Sequence, residues 1–280
     1  MAKPLSIITI NYNNADGLKK TMDSIRDQSW QEFEHIVVDG YSTDNSVEII
    51  KSYTYKNLDW ISEPDTGIYN AMNKGIDRAN GKYLLFLNSG DILESKHSLS
   101  RVSNLLRTEK SIISGNIIFK KENSLRVRQH PEKITFSYLV GNAISHPSTF
   151  IKRDLFKTYG KYNENLKIVS DWAFFLKVLG LNNETYISTS EIISVFDATG
   201  ISSLKENLDQ VNKERTQVLE QYFPTIFNNE DDRYIFNKFI SNTKRFRYFK
   251  IIEEYPLFRK MTTIILSFIV SMIKLFRLSK

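Results

Sequence analysis

The stretch EPDTGIYNAMNKGIDRANGKYLLFLNSGD, Glu63–Asp91, decides how the chain folds. Ile68, Met72 and Ile76 recur at helical spacing between Gly67 and Gly81, which predicts a helix with one apolar face. Gly81 then opens a short apolar run, Tyr83–Leu87, bounded by turn residues, which predicts a buried strand. That strand ends on Asn88, Ser89, Gly90 and Asp91. Small residues and one carboxylate do not extend a core. They leave room for a ligand to approach the backbone and set a charge facing it.

The same alternation runs back to the amino terminus. LSIITINYN, Leu5–Asn13, is rich in β-branched residues and predicts a first strand. Leu18, Met22 and Ile25 mark a helix; EFEHIVVDG predicts a second strand ending on Asp39-Gly40. STDNSVEIIKSY predicts a helix with Ser42 or Thr43 as its N-cap, and LDWISEPDTG a third strand stopped by Pro64. Strand alternating with helix is the pattern of a parallel, helix-covered sheet, an α/β fold. Ligands of open α/β sheets bind beyond the carboxyl ends of the strands. All four predicted ends are polar: Asn11-Tyr12-Asn13, Asp39-Gly40, Glu63-Pro64-Asp65 and Asn88–Asp91. Asp, Asn and Gly also form ordinary turns, so one such end means little. Four in succession outline a site.

Beyond Asp91 the pattern changes. SIISGNIIFKK and SLRVRQHP predict a strand pair, and DWAFFLKVLG, Asp171–Gly180, a helix apolar nearly all round and therefore buried. TYISTSEIISVF predicts a strand, and SLKENLDQVNKERTQVLEQYF a long polar helix. The chain has no cysteine, which excludes disulfides, thiolate metal sites and a cysteine nucleophile. Neither G-x-G-x-x-G nor G-x-x-x-x-G-K-S/T occurs, so the glycine-rich dinucleotide and P-loop cradles are absent. The other way to hold a phosphate ester against carboxylates is a divalent cation, which uses one or two carboxylates plus the substrate's phosphates. Asp91 is placed for that task.

These motifs resemble the family 2 glycosyltransferases of GT-A fold. The marks are SIITINYNN, VVDGYSTDNS, Glu63–Asp91 as quoted, and SDWAFFLKV, over roughly residues 4 to 200. The third is the most specific and is close to the form seen in bacterial capsule, O-antigen and exopolysaccharide transferases. The resemblance implies a Rossmann-like, mostly parallel sheet covered by helices. It also implies an inverting, metal-dependent transfer of a sugar from a nucleotide-sugar, UDP-linked donor, with Mn²⁺ or Mg²⁺ as cofactor. On that reading Thr9, Asn11 and Tyr12 line the nucleotide base and Asp39 bonds the uracil. Asp65, Asn73 and Lys74 lie near the ribose and base. Asn88, Ser89 and Asp91 stand for the D-x-D metal motif, with Asn88 where an acid is usual, so Asp91 is the expected metal ligand. Asp171, preceded here by Ser170, stands at the general base, although a helix N-cap would also explain it. His146 and Trp172 fall on the acceptor side.

The expected organisation is a GT-A domain over 1–203, with a donor half (1–95) and an acceptor half (96–203). A helical extension follows over 204–280. Arg233–Lys280 holds eleven Lys/Arg against Glu253 and Glu254 in a chain of net charge +6, so a basic tail follows a slightly acidic body. Met261–Ile273 is uncharged but shorter than a bilayer span, and Thr263, Ser267, Ser271 and Lys274 form one narrow polar stripe on it. Such a helix suits a membrane interface. The expectation is a cytoplasmic enzyme, peripheral on the inner face of the membrane, acting on a glycan acceptor linked to polyprenyl diphosphate. The same tail also suits pairing into a homodimer. Nucleic acid is disfavoured, because the basic residues alternate with an aliphatic run rather than with stacking aromatics. A nucleotide-sugar-binding protein without transferase activity is the alternative.

Overall fold

The computed structural model describes residues 3–121, 124–197, 205–234 and 244–278. Its nine strands form one sheet in the order β3-β2-β1-β4-β8-β6-β9-β5, with β7 paired to β6. The predicted βαβ alternation supplies the parallel half. β1 (Leu5–Asn11) lies between β2 (Phe33–Asp39) and β4 (Tyr83–Phe86), and β3 (Leu58–Ser62) pairs with β2. The register sets Asn11 beside Asp39 and Asp39 beside Ser62, so the polar ends predicted from sequence are neighbours in space.

Helices α1 (Ala15–Arg26), α2 (Ser46–Ser52) and α3 (Ile68–Arg78) cover this half. α1 turns Leu18, Met22 and Ile25 to the interior, as its spacing predicts. The N-cap expected at Ser42 or Thr43 is not used, for α2 begins only at Ser46, where Asp44 accepts the Ser46 N–H. Ser42 is drawn off instead: its hydroxyl donates to Asp39 and accepts from the Asn13 N–H.

The second half is mixed. β5 (Ile92–Leu93) follows Asp91, and α4 (Ser98–Val102) covers that end. β6 (Ile112–Lys121) and β7 (Ser124–Arg128) form the predicted antiparallel pair. α5 (Phe136–Gly141) leads to β8 (Thr149–Lys152), which joins the halves antiparallel to both β4 and β6. α6 (Asp154–Tyr159) follows, then α7 (Ser170–Phe175), which loosens into a π-helical turn over Leu176–Leu181. α7 buries Trp172, Ala173, Phe174 and Phe175, as its encircling apolar pattern predicts.

β9 (Tyr186–Asp197) runs parallel to β6 and antiparallel to β5. α8 (Leu208–Tyr222) is the long polar helix. The chain divides into two compact units, Met1–Tyr222 and Phe223–Lys280, so α8 belongs with the sheet. In the second unit the helix Pro256–Leu278 leaves its large hydrophobics exposed from Leu257 to Phe276. It is long and apolar enough to cross a membrane by length and composition, with a mean hydropathy of 1.5 over Pro256–Phe276. The uncharged run alone suggested a shorter element; the helix extends through the flanking basic residues.

Candidate active site

Hydrogen bonds weld the four strand ends into one floor. The Asn11 amide donates to Asp39 Oδ1 (2.7 Å), and its oxygen accepts from the Ser89 hydroxyl (2.7 Å). Asp39 also accepts from the Ser42 N–H, the Ser42 hydroxyl and the Ser62 hydroxyl, and is fully buried. All its donors are thus internal. Asp39 sets the floor, and a direct bond to a nucleobase requires it to release one of them. Thr9 is buried against His35 Nε2 (2.9 Å). Asn73 binds the Tyr162 backbone and Glu164, and Lys74 pairs with Glu63 and the Pro64 carbonyl. Asn73 thus ties α3 to the Tyr162–Glu164 segment, and Lys74 ties it to the loop before it. The open members of the rim are Tyr12, 66% exposed, and Asp65, whose carboxylate lies where a side chain on Gly40 would stand.

At the end of β4 the chain turns on Gly90, whose φ of +105° favours glycine, and sets Asp91 inward, 3% exposed. Asp91 accepts weakly from the Asn88 and Asp197 N–H groups, both at 3.3 Å. Burial pushes its pKa up to about 7, against the opposing charge of His146, and the nearby Asp197 carboxylate adds to the rise. Asn88 Oδ1 is buried without a hydrogen-bond partner. Two carboxylates and an orphaned amide oxygen converge here. An all-oxygen set of this kind fits Mg²⁺ or Mn²⁺ that completes its coordination with substrate phosphates. Among the described residues no group of three or more His, Asp or Glu could hold a metal ion.

Asp197 was not found in the sequence. It ends a strand that reads like any other, and only the pairing of Ile92 with Val195 carries it to Asp91.

Asp171 sits one residue inside α7, whose N-cap position is Val169, so the structure does not use it as the N-cap. Its Oδ1 lies 3.0 Å from the Tyr69 hydroxyl and its Oδ2 3.1 Å from His146 Nδ1. Burial acts to raise its pKa, but the hydrogen bond and charge of His146, the Trp172 N–H and Tyr69 together outweigh it. The carboxyl stays below its ordinary range, ionised at neutral pH. His146 is the link between the two acids. It touches Asp171, its charge reaches Asp91, and its Nε2 is buried without a partner. Trp172 is 2% exposed and donates its indole N–H to the Leu139 carbonyl (2.6 Å), so it packs the wall rather than offering a face to a sugar.

The loop that delivers Asp171 is held from α8. Glu214, 2% exposed, accepts the backbone N–H groups of Lys167 (2.9 Å), Ile168 (3.0 Å) and Val169 (3.2 Å) and the Gln210 amide (2.8 Å). Burial opposes its ionisation, but these four donors hold its pKa below the usual carboxylate range. Its stabilisation is therefore present above the unfolded pKa near 4.3 and is lost as pH falls through the lowered folded value. Glu214→Gln turns an amide NH₂ toward backbone donors. We expect it to cost about 1–3 kcal/mol in urea unfolding at pH 7, with much less difference at pH 3. Equal stability at pH 7 would mean that the loop does not depend on this carboxylate. Tyr69 lies inside Glu63–Asp91 but nothing singles it out there, and Glu214 carries no motif; a buried Tyr or Glu in a helix gives no local signal of its role.

Residues 6–176 match the family model for glycosyl transferase family 2. The chain belongs to this family. An uncharacterized glycosyltransferase of Mycobacterium tuberculosis is 31% identical over 210 residues, covering 73% of this chain and 79% of that protein. A PGL/p-HBAD biosynthesis glycosyltransferase of Mycobacterium bovis is 33% identical over 183 residues, covering 63% and 70%. Among solved structures, S. aureus TarS 1-349 in complex with UDP-GlcNAc superposes with a TM-score of 0.61 at 21% identity. That match covers 77% of this chain and 66% of TarS 1-349, so part of TarS lies outside it. The mannosyltransferase PcManGT of Pyrobaculum calidifontis, in complex with GDP-Man and Mn²⁺, gives 0.58 at 14% identity, covering 98% and 88%. These structural likenesses establish the GT-A fold. The chain is a glycosyltransferase.

Proposed function

We propose that this family 2 glycosyltransferase is an inverting enzyme that moves a sugar from a UDP-linked donor to a hydroxyl of a surface-glycan intermediate carried on polyprenyl diphosphate. The observation that carries the reading is the single anchored carboxylate, Asp171, joined through His146 to the Asp91 corner. Inversion is one in-line displacement. The acceptor oxygen forms its bond to the anomeric carbon as the bond to the diphosphate breaks, and the hydroxyl proton passes to Asp171. One base suffices, and no second carboxylate is needed as an acid. Tyr69 and His146 hold that base ionised and oriented. Asp91, Asp197 and the Asn88 oxygen would hold the divalent cation, which when bound stabilises charge on the leaving diphosphate. Tyr12 and Asp65 form the rim that meets the nucleoside, with Asn11, Asp39 and Ser89 behind them. A binding module without turnover has no use for a base held from two sides, which argues against that alternative.

Calorimetric titration with UDP and GDP, with and without Mn²⁺, tests the donor site. Metal-dependent binding of UDP is expected; a folded chain that binds neither nucleotide overturns the reading.

The helix Pro256–Leu278 supports a membrane-associated enzyme. Lys260 and Lys274 stand about 21 Å apart along the helix at 1.5 Å per residue, short of the ~30 Å hydrocarbon core. That spacing favours lying in the interface, with basic flanks toward anionic lipid on the cytoplasmic side. Removing Met261–Lys280 is expected to move the protein from the membrane fraction to the soluble one. If both chains fractionate alike, the tail has another role, pairing of subunits among them.

A further inference from the structure

Two arginines flank the Leu139–Ala143 segment beside the base, Arg215 through Trp172, whose indole bonds the Leu139 carbonyl, and Arg128 through the Ala143 carbonyl. Arg215 on α8 stacks its guanidinium 4.9 Å above the Trp172 ring, one residue from Asp171, and its Nε is buried without a partner. Burial lowers its pKa; the Asp171 charge opposes that, and the charge of Arg128 adds to it, so both groups lie within electrostatic reach of Arg215. Arg128, at the end of β7, donates from Nη2 to the Ala143 carbonyl (2.8 Å) and lies 6.0 Å from the Phe119 ring. Those contacts hold the guanidinium and leave most of its five N–H donors unused. Among the described residues neither arginine makes an ion pair within salt-bridge distance. The Asp171 charge reaches Arg215, and the Asp171 oxygens are already engaged by Tyr69 and His146.

Two like charges held together in a half-buried place repel each other, and an anion between them relieves that repulsion. Planar guanidinium forks suit phosphate oxygens. The position is next to the base, against the Leu139–Ala143 segment. We propose that Arg128 and Arg215 form an acceptor-side subsite for a phosphate group, so that the acceptor hydroxyl reaching Asp171 belongs to a phosphorylated molecule. This rests on the glycosyltransferase reading above and adds the chemistry of its acceptor.

The test keeps the donor site filled. The full-length protein is saturated with UDP and Mn²⁺ and titrated with glucose 1-phosphate, geranyl phosphate and, as the uncharged control, methyl glucoside. Both phosphates should bind and the control should not. Arg128→Gln and Arg215→Gln should each weaken phosphate binding about tenfold while UDP affinity stays unchanged. Tighter binding of geranyl phosphate than of glucose 1-phosphate places the phosphate on a lipid; equal binding places it on the glycan. Arg215→Gln also removes the stack on Trp172, so Arg128→Gln, at the sheet edge, carries the decision. If UDP binds but the phosphates do not, or if both variants bind them as the wild type does, the subsite is wrong and the donor reading stands. If UDP itself does not bind, the failure lies with the donor reading.

Discussion

Asp171→Asn should lower kcat by about 10³-fold, within the 10²–10⁴ range that a positioned base contributes, while UDP affinity in Mn²⁺ stays within about twofold of wild type. The substitution keeps the shape of the side chain and removes only its ability to take a proton. Its surroundings make the test clean. Tyr69 and His146 contact the two oxygens, and an Asn in that place can still meet both, so α7 should keep its position. The hydrogen bonds of Asp171 run to Tyr69 and His146 and not to the floor formed by Asn11, Asp39 and Ser89, so no bond of that floor is removed. Single-turnover transfer with saturating donor measures the effect. A variant with near-wild-type turnover would show that another group takes the proton, and His146 Nε2 would be the next to examine.

Asp91→Asn should weaken Mn²⁺-dependent UDP binding by at least about 100-fold, more than the 10–100-fold typical of losing a group that only supports a ligand. The pH dependence carries a second signature. Burial pushes the Asp91 pKa up to about 7, so in the metal-free protein the carboxyl is largely protonated below that pH. A cation must displace that proton. Wild-type affinity for UDP with Mn²⁺ should therefore fall about tenfold for each unit below pH 7, and in Asp91→Asn this dependence should vanish.

The sign for stability follows from the same shift. The folded pKa is raised above the unfolded value near 3.9, so the folded state holds the proton more tightly. The stabilisation from that proton is fully present below about pH 4 and is lost as pH rises to about 7. Above pH 7 the metal-free wild type carries a buried, poorly paired charge, and Asp91→Asn should raise its melting temperature while abolishing activity. Thermal unfolding at pH 8 in a chelator, with and without the substitution, reads this directly. A fall in melting temperature would mean that Asp91 is held by its neighbours for the fold and not kept for a cation.

Local patterns carried much of this protein. Periods of two and 3.6 residues placed β1–β4 and α1–α3, because which face of a strand or helix is apolar is written within a few residues. The polar strand ends pointed to one end of the sheet as the candidate site, and Glu63–Asp91 pointed to Asp91 as its candidate metal ligand. What the sequence left undecided depends on pairing between distant segments. Asp197 meets Asp91 across 106 positions because β9 closes against β5, and strand order is not a local property. Tyr69 reaches Asp171 across 102 positions, and Glu214 reaches the loop before it across 45 to 47. Whether a carboxylate serves a ligand or the fold was likewise a tertiary decision. Asp39, Asn73 and Lys74 looked as available as Asp91 in the sequence, yet their polar atoms are taken up by internal partners. Buried polar groups must be paired, and only the packed structure shows that these are paired within the chain while Asn88 Oδ1 is buried without a partner.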